Sequence, residues 1–397
     1  MNSLLELYRH LHSFPELSTH EEKTALRMAE EMEKAGLKVT QKVGGFGVVG
    51  ILTNGTGPKI LLRADMDALP IQEATGLAYA SKVPGVMHAC GHDVHMTCLV
   101  GAIHQLIKIK KAWKGTLIFI AQPCEEKGQG AENMLKDGLF TRFPKPDYAL
   151  ALHVDSQLPA GMIGYRSGPA FANVDSIDLI IHGRGGHGAY PHLCVDPIVM
   201  SSEIILALQT IRSREIKPYE TAVITVGSIH GGTKHNIIPD QVKMEITTRS
   251  YTDEVREQIL SSIQRIARQV AGAHQAPKDP EMKVRESIPS TYNDPELVER
   301  LVPVFQKTFG ESQVIEKPPE MGGEDFGLYG RAGVPACLFR IGSISPLKQK
   351  PFSSLHSSEY APEAEPTIKT GIEALVAAVK ELCSVPFPKV PGLIAEP

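Results

Sequence analysis

The feature that most constrains this chain is the order of six segments between residues 173 and 289. Val174 to His182 alternates apolar and polar residues as a strand does, and Pro197 to Ile211 reads as a helix. Ala222 to Ile229 and Val242 to Thr248 read as strands, Val255 to Val270 as a helix, and Met282 to Ser287 as a strand. In the second helix Val255, Ile259, Ile263, Ile266 and Val270 recur at steps of three and four, which puts them on one buried stripe. The order β-α-β-β-α-β is that of a ferredoxin-like sheet of four strands with both helices on one face, a unit that can close by itself. Whatever lies on either side must then fold together without it.

The flanking segments have another rhythm. A helix over Leu4 to Leu11 is followed by a second, announced by Ser18-Thr19-His20-Glu21-Glu22 as a threonine cap with acids in the first turn and ending near Gly36. Val43 to Pro58 carries six glycines and reads as a hairpin. Val48 to Leu52, Ile60 to Arg63, Thr116 to Ala121 and Tyr148 to His153 are apolar runs of strand length, with Met96 to Lys108 helical among them. Pro295 to Thr308 (helix), Ala336 to Ile341 (strand) and Glu363 to Leu382 (helix) resume the alternation, and Pro386 to Pro397 reads as a loose tail. The expected fold is α/β: a mixed sheet flanked by helices, built from residues 1–172 and 290–397 and interrupted by the α+β domain at 173–289.

Composition narrows the function. The 397 residues carry 45 acidic and 41 basic side chains, a net charge of −4, which disfavours nucleic acid or an anionic membrane as partner. No run approaches the roughly 18 apolar residues of a membrane span, and the N-terminus lacks the basic and apolar regions of a secretory signal, so a cytoplasmic location is expected. Six scattered cysteines do not form a disulfide framework.

Four strings can carry chemistry. In His88-Ala89-Cys90-Gly91-His92-Asp93-Val94-His95, thiol and imidazole stand two apart on a glycine-containing loop before a helix. Such ligands suit a borderline metal, although a loop with surface histidines and a buried thiol reads the same way. Glu125-Glu126 closes the Thr116 to Ala121 strand, where ligands of α/β sheets bind, yet adjacent carboxylates are also an ordinary solvated pair. His153 ends a strand and His356 lies in a turn. It is the coincidence of Cys90/His92, Glu125/Glu126 and His153 at or near the ends of separate core elements that points to one shared site. In the inserted domain, three glycines leave His187 uncovered, and Asn236 lies in Lys234-His235-Asn236-Ile237-Ile238; each is equally compatible with a plain turn.

Together these strings resemble the M20 metallopeptidase clan, in particular its amidohydrolase subfamily of hippurate hydrolases, aminoacylases and auxin-conjugate hydrolases. The resemblance is carried by Arg63-Ala64-Asp65-Met66-Asp67-Ala68-Leu69-Pro70, the His88 to His95 loop, Gln122 to Glu126, Gly185 to His192, Asn236 to Asp240, and Met321-Gly322-Gly323-Glu324-Asp325-Phe326. It implies a catalytic domain holding two divalent metal ions per subunit (zinc, manganese, cobalt or nickel) and a satellite domain that serves as lid and dimerises into a homodimer or higher homo-oligomer. By motif position Cys90, His92, Glu126, His153 and His356 would be metal ligands, Glu125 the general base, His187 the carbonyl-polarising or oxyanion-binding group, and Asn236 a substrate contact. Asp65 stands where other branches place a ligating histidine, and Asp67 matches the aspartate that orients a ligand. Val94, Cys124 and the stretch Lys127 to Gly130 depart from the commonest pattern without removing a ligand.

The implied activity is hydrolysis of N-acetyl, N-benzoyl or similar N-acyl amino acids. Its alternatives are an N-acetyl-diaminopimelate-type deacetylase, a dipeptidase or carboxypeptidase of the same clan, and a metal-dependent binding protein without catalysis.

Overall fold

A computed structural model describes residues 1–345 and 354–384, and the Pro386 to Pro397 tail lies outside the described residues. The chain divides into two compact units. One comprises Met1–Gly168, Tyr292–Pro318 and Phe326–Pro397; the other comprises Pro169–Thr291 and Pro319–Asp325.

Apolar runs such as Leu61-Leu62 and Ile118-Phe119-Ile120 cannot alternate between core and water, so they require a sheet covered on both faces. In the first unit, Gly115–Gln122, Lys59–Asp65, Tyr148–Pro159 and Ala336–Ile344 lie side by side and parallel in the middle of an eight-stranded mixed sheet. Every residue of Ala336–Ile344 is buried. The antiparallel hairpin Lys38–Val43 and Gly47–Asn54 extends one side, and the short strands Ile163–Tyr165 and Val314–Glu316 end the other. Helices Asn2–Ser13, Glu22–Lys34, His92–Lys108 and Ala364–Ser384 bring Leu7, Met28, Leu99 and Leu375 into one core with Leu62, Phe119 and Leu150.

Two expectations are corrected here. The hairpin begins earlier than Val43: its first strand, Lys-Val-Thr-Gln-Lys-Val, is a largely exposed edge, so no apolar run announces it. Nor does Thr19 cap the second helix. The helix starts at Glu22, and the orphan N–H groups of Lys23 and Thr24 are taken by the Glu16 carboxylate at 3.3 and 2.8 Å.

The second unit has the expected element order: Asn173–His182, Pro197–Thr210, Ala222–His230, Gln241–Ser250, Asp253–Ala273 and Glu281–Ile288. Its antiparallel sheet is ordered Ala222–His230, Gln241–Ser250, Asn173–His182, Glu281–Ile288. Alternate residues Ile177, Leu179 and Ile181 are fully buried against Met200, Ile204 and Leu208 of one helix and Ile259 and Ile263 of the other. Asp196 and Thr252 cap these helices by accepting the N–H of Ile198 at 2.8 Å and of Val255 at 3.3 Å. No helix among the described residues is long and apolar enough to cross a membrane.

Candidate metal centre

The parallel strands of the first unit end level, with Asp65 opposite Gln122, and the turns that follow them converge. Glycine makes two of those turns possible. Gly91 has φ +78°, and a Cβ there would sit 2.5 Å from Val154 Cγ2, so only glycine lets Cys90 and His92 flank that point. A Cβ on Gly130 would lie 1.7 Å from the Pro123 carbonyl oxygen, which shows how tightly the turn after Gln122 is wound. Within that turn Cys124 adopts φ +60°, and His356 adopts +64° in its own. Left-handed backbone costs an ordinary L-residue about 1–2 kcal/mol, so each must be held by its surroundings.

At this convergence three overlapping groups, Cys90/His92/His153, Cys90/Glu126/His356 and His92/Glu125/Glu126, each have their donor atoms within 4.8 Å of one another. Cys90 Sγ is 3.5 Å from His153 Nε2, and His356 Nε2 is 3.6 Å from Glu126 Oε1. His92 Nε2 is 3.9 Å from both Glu125 Oε2 and Glu126 Oε1. The tautomers follow from the other ring nitrogens. His92 Nδ1–H donates to the Asp67 carbonyl oxygen at 2.8 Å and His153 Nδ1–H to that of Val154 at 2.7 Å, which leaves each Nε2 lone pair directed at the cluster.

Charge in this cluster is one-sided. Burial, then the carboxylates of Glu126, Glu125 and Asp65, pushes the Cys90 thiol well up. Burial lifts Glu126 to about 7, helped by Asp67 and Asp65 and opposed by His92. Burial opposes charging of His92, yet Asp65, Asp67 and Glu126 together raise it to about 10. His92 Nε2 and Glu126 Oε1 are buried without a hydrogen-bond partner. A cation would satisfy both and neutralise the excess, and a donor set of one thiol, three imidazoles and carboxylate suits a borderline divalent metal.

His95 of the same loop does different work. His95 Nδ1–H donates to Asp65 Oδ1 at 2.6 Å, and its Nε2 accepts the Val154 N–H at 2.9 Å, so neither nitrogen is available to a metal. Burial holds His95 down at about 4. Asp65 in turn meets Arg63 at 2.6 Å, a fully buried pair. Asp65 thus orients a histidine and pairs with an arginine, and Asp67 orients His92 through its backbone oxygen.

In the second unit, Gly186–His187 pairs with Ile237–Ile238 as a two-stranded ribbon, and Gly188 N–H donates to Asn236 O at 2.8 Å, so His187 and Asn236 are neighbours. His187 is exposed, and its Nδ1 accepts the Ala189 N–H at 3.0 Å, which puts the proton on Nε2. Gly185 and Gly186 permit the ribbon: a Cβ on either would meet Ile238 O at 2.6 Å or Cys194 Sγ at 2.5 Å.

Sequence reading missed the buttress behind the glutamate turn. Ser18 Oγ donates to Asp67 Oδ2 at 2.6 Å, and the same oxygen accepts the Glu126 N–H at 2.9 Å. Glu21, fully buried, accepts the Cys124 N–H at 2.8 Å. Behind the Cys90 helix, buried His12 bonds Asp93 at 2.7 Å and Glu73 at 3.2 Å. In the sequence Glu21 is one of two acids at a helix start and His12 an unremarkable helical residue, so no local signal separates them from surface positions.

The chain is similar over most of its length to known proteins. A thermostable carboxypeptidase of Saccharolobus solfataricus is 37% identical over 93% of this chain and 92% of its own. An N-acetyl-L-cysteine deacetylase of Bacillus subtilis is 38% identical over 82% and 77%, and an N-acetyldiaminopimelate deacetylase of Lactobacillus acidophilus 35% over 94% and 96%. Among solved structures, one from methicillin-resistant Staphylococcus aureus superposes with a TM-score of 0.89 at 31% identity, covering 96% of each chain. A dinuclear metal-binding peptidase of the M20 family from Bacillus subtilis gives 0.81 at 29%, covering 96% and 98%. The sequence model of peptidase family M20/M25/M40 matches residues 61–381, and the chain belongs to that family as a metal-dependent hydrolase of amides or peptides.

Proposed function

We propose that the chain hydrolyses the amide bond of N-acyl amino acids, N-acetyl and N-benzoyl derivatives among them, to a carboxylate and a free amino acid. The observation that carries this reading is Glu125 and Glu126, side by side at a strand end and each 3.9 Å from His92 Nε2, where one can ligate and the other move a proton. Cys90, His92, Glu126, His153 and His356 would hold two divalent ions, zinc, manganese, cobalt or nickel. When bound, such ions lower the pKa of a water to about 7 and polarise the scissile carbonyl.

The remaining steps belong to the chain. Glu125 takes a proton from the attacking water at its carboxylate and delivers it to the amide nitrogen as the C–N bond breaks. His187 donates its Nε2–H to the developing oxyanion, and Asn236 contacts substrate, the roles their motifs carry in the resembling subfamily. Asp67 and the Val154 carbonyl keep His92 and His153 in the tautomers that ligation requires. The second unit is read as lid and dimerisation domain. Support for the dimer is a sheet edge, Ala222–His230, with Val223 and Ile229 exposed on it and Leu206 and Tyr219 exposed in the same unit; sedimentation at micromolar concentration tests it.

A second reading has equal support from the relatives, two of which are a deacetylase of N-acetyldiaminopimelate and a carboxypeptidase. The deciding experiment is amine release by metal-stripped protein resupplied with zinc, manganese or cobalt. The panel comprises N-acetyl, N-benzoyl and longer N-acyl amino acids, N-acetyldiaminopimelate and dipeptides. Metal-restored turnover strongest on simple N-acyl amino acids is the expected result. Turnover confined to N-acetyldiaminopimelate or to peptides moves the assignment to the second reading.

A further inference from the structure

Three consecutive peptide planes around Cys124 and Glu125 are each tied down. The Cys124 N–H donates to Glu21 Oε1 at 2.8 Å. The Cys124 carbonyl accepts the N–H groups of Gln129 and Gly130, both at 3.2 Å. The Glu126 N–H donates to Asp67 Oδ2 at 2.9 Å, and the Glu125 carbonyl accepts the Gly128 N–H at 2.6 Å. Of these anchors only Glu21 comes from the N-terminal segment, 103 residues away in sequence. It holds the plane on the N-terminal side of the Cys124 N–Cα bond, the bond whose rotation is +60°. Cut that anchor and the peptide plane that sets the +60° rotation of Cys124 is released one residue before Glu125.

Glu21 is itself held in place. Its side chain is fully buried, and the segment that carries it is pinned by Ala68 N–H to Glu16 O at 2.8 Å and by Ser18 Oγ to Asp67 at 2.6 Å. Thr19, between Ser18 and Glu21, takes φ +72°, a conformation a β-branched residue adopts only when its neighbours dictate it. Burying a carboxylate is expensive, and Glu21 Oε2 is buried without a hydrogen-bond partner. Such expense has its counterpart in precision at the reacting groups.

We propose that Glu21 is a positioning residue: by accepting the Cys124 N–H opposite Asp67 on the Glu126 N–H, it fixes the direction in which the Glu125 carboxylate is presented. The proposal rests on the reading of Glu125 as the base. Displacing a reacting group by about 1 Å costs on the order of 100-fold in rate, so the effect is measurable without loss of binding.

The test compares Glu21→Gln, which keeps an acceptor for the Cys124 N–H, with Glu21→Met, which keeps the buried volume and removes the acceptor. Glu125→Gln is assayed beside them on N-acetyl-L-methionine and the other panel substrates. Glu21→Gln is expected to keep kcat within about threefold of wild type. Glu21→Met is expected to lose about 10- to 100-fold in kcat with KM changed less than about threefold, metal content unchanged and a melting temperature within about 5 °C of wild type. The proposal is overturned if Glu21→Met retains wild-type kcat, if the two variants fall equally, or if Glu21→Met loses its fold or its metal, which would make Glu21 a residue of general stability. Turnover retained by Glu125→Gln overturns the base assignment itself and is told apart from these outcomes by that variant alone.

Discussion

The two units solve the same problem, holding a histidine ready for chemistry, in opposite ways. In the first, His92 and His153 are buried, each with Nδ1–H committed to a backbone carbonyl and Nε2 directed inward. In the second, His187 stands exposed on a glycine-rich ribbon, with the Ala189 N–H donating to its Nδ1 and so fixing the tautomer. The sheets differ in the same sense. Ala336–Ile344 is buried at every position, whereas Asn173–His182 is buried at every second one. In a sheet with two covered faces burial makes each polar group dependent on its partners, as Arg63 is on Asp65; an exposed ribbon leaves its residues nearly independent of the core. Substitutions at the proposed ligands of the first unit should therefore move metal content, stability and rate together, and those at the ribbon should move rate alone.

Glu125 is the strictest probe of that contrast, because it belongs to the buried cluster and is not itself a proposed ligand. Glu125→Gln should lower kcat by about 100- to 10,000-fold while metal content by elemental analysis stays at the wild-type value. Loss of metal in step with rate would make Glu125 a ligand.

His187→Ala addresses the other side. Removing an oxyanion donor should cost about 100- to 1,000-fold in kcat, with metal content unchanged and stability altered by less than about 0.5 kcal/mol. A large drop in melting temperature would contradict the independence claimed for the ribbon.

Cores rather than sites sharpen the comparison next. Ile263, fully buried between the second unit's helix and sheet, should cost about 2–5 kcal/mol on truncation to alanine. Urea unfolding followed by hydrogen exchange should place that loss in strands Asn173–His182 and Gln241–Ser250 and spare Lys59–Asp65. Equal loss in both would mean that the two units unfold as one.

The smallest effect is a pH dependence. Burial opposes charging of His12, but its bonds to Asp93 and Glu73 raise it to about 9; burial opposes charging of Glu73 too, yet His12, with the Thr75 hydroxyl and the Ser81 N–H, holds it down at about 2. Unfolded histidine releases its proton near 6.5, so between about 6.5 and 9 the folded protein binds more protons and stability falls as pH rises. The Glu73 contribution has the opposite sign: it is present above about 4.5 and is lost as pH falls towards 2. The melting-temperature gap between wild type and His12→Asn should be widest between about pH 4.5 and 6.5 and close by about pH 9. A gap that stays constant to pH 9 would show that His12 acts through packing alone.

Much of this was legible in the sequence for a local reason. Alternation over Val174 to His182 and the stripe Val255, Ile259, Ile263 and Ile266 are periods of two and of three to four, which the chain writes without reference to anything distant. The Lys38–Val43 strand was not legible, since an edge strand carries polar residues, and the cap of the second helix was misread because Glu16 lies outside the segment where a cap is sought. Cys90, His92, Glu126, His153 and His356 were nameable as residue types at strand and helix ends. That coincidence already pointed to a shared site; the distances within it were not legible, because Cys90 and His153 are 63 residues apart.

What the sequence determined by itself is the kind and order of the elements, the glycines at which the chain must turn, and the stock of thiol, imidazole and carboxylate available. Which members of that stock keep a donor atom open and which are tied up as struts was decided only by tertiary structure. His92 and His95 share one helix turn, yet Asp65, 30 residues from His95, and the Val154 N–H, 59 away, occupy both nitrogens of His95, while His92 keeps Nε2 unpartnered. Glu21 became a buried acceptor because Cys124, 103 residues on, presents its N–H there. The physical reason is that side-chain periodicity is a property of neighbouring residues, whereas a buried hydrogen bond is chosen by whatever polar group the fold brings within 3 Å, at any distance along the chain.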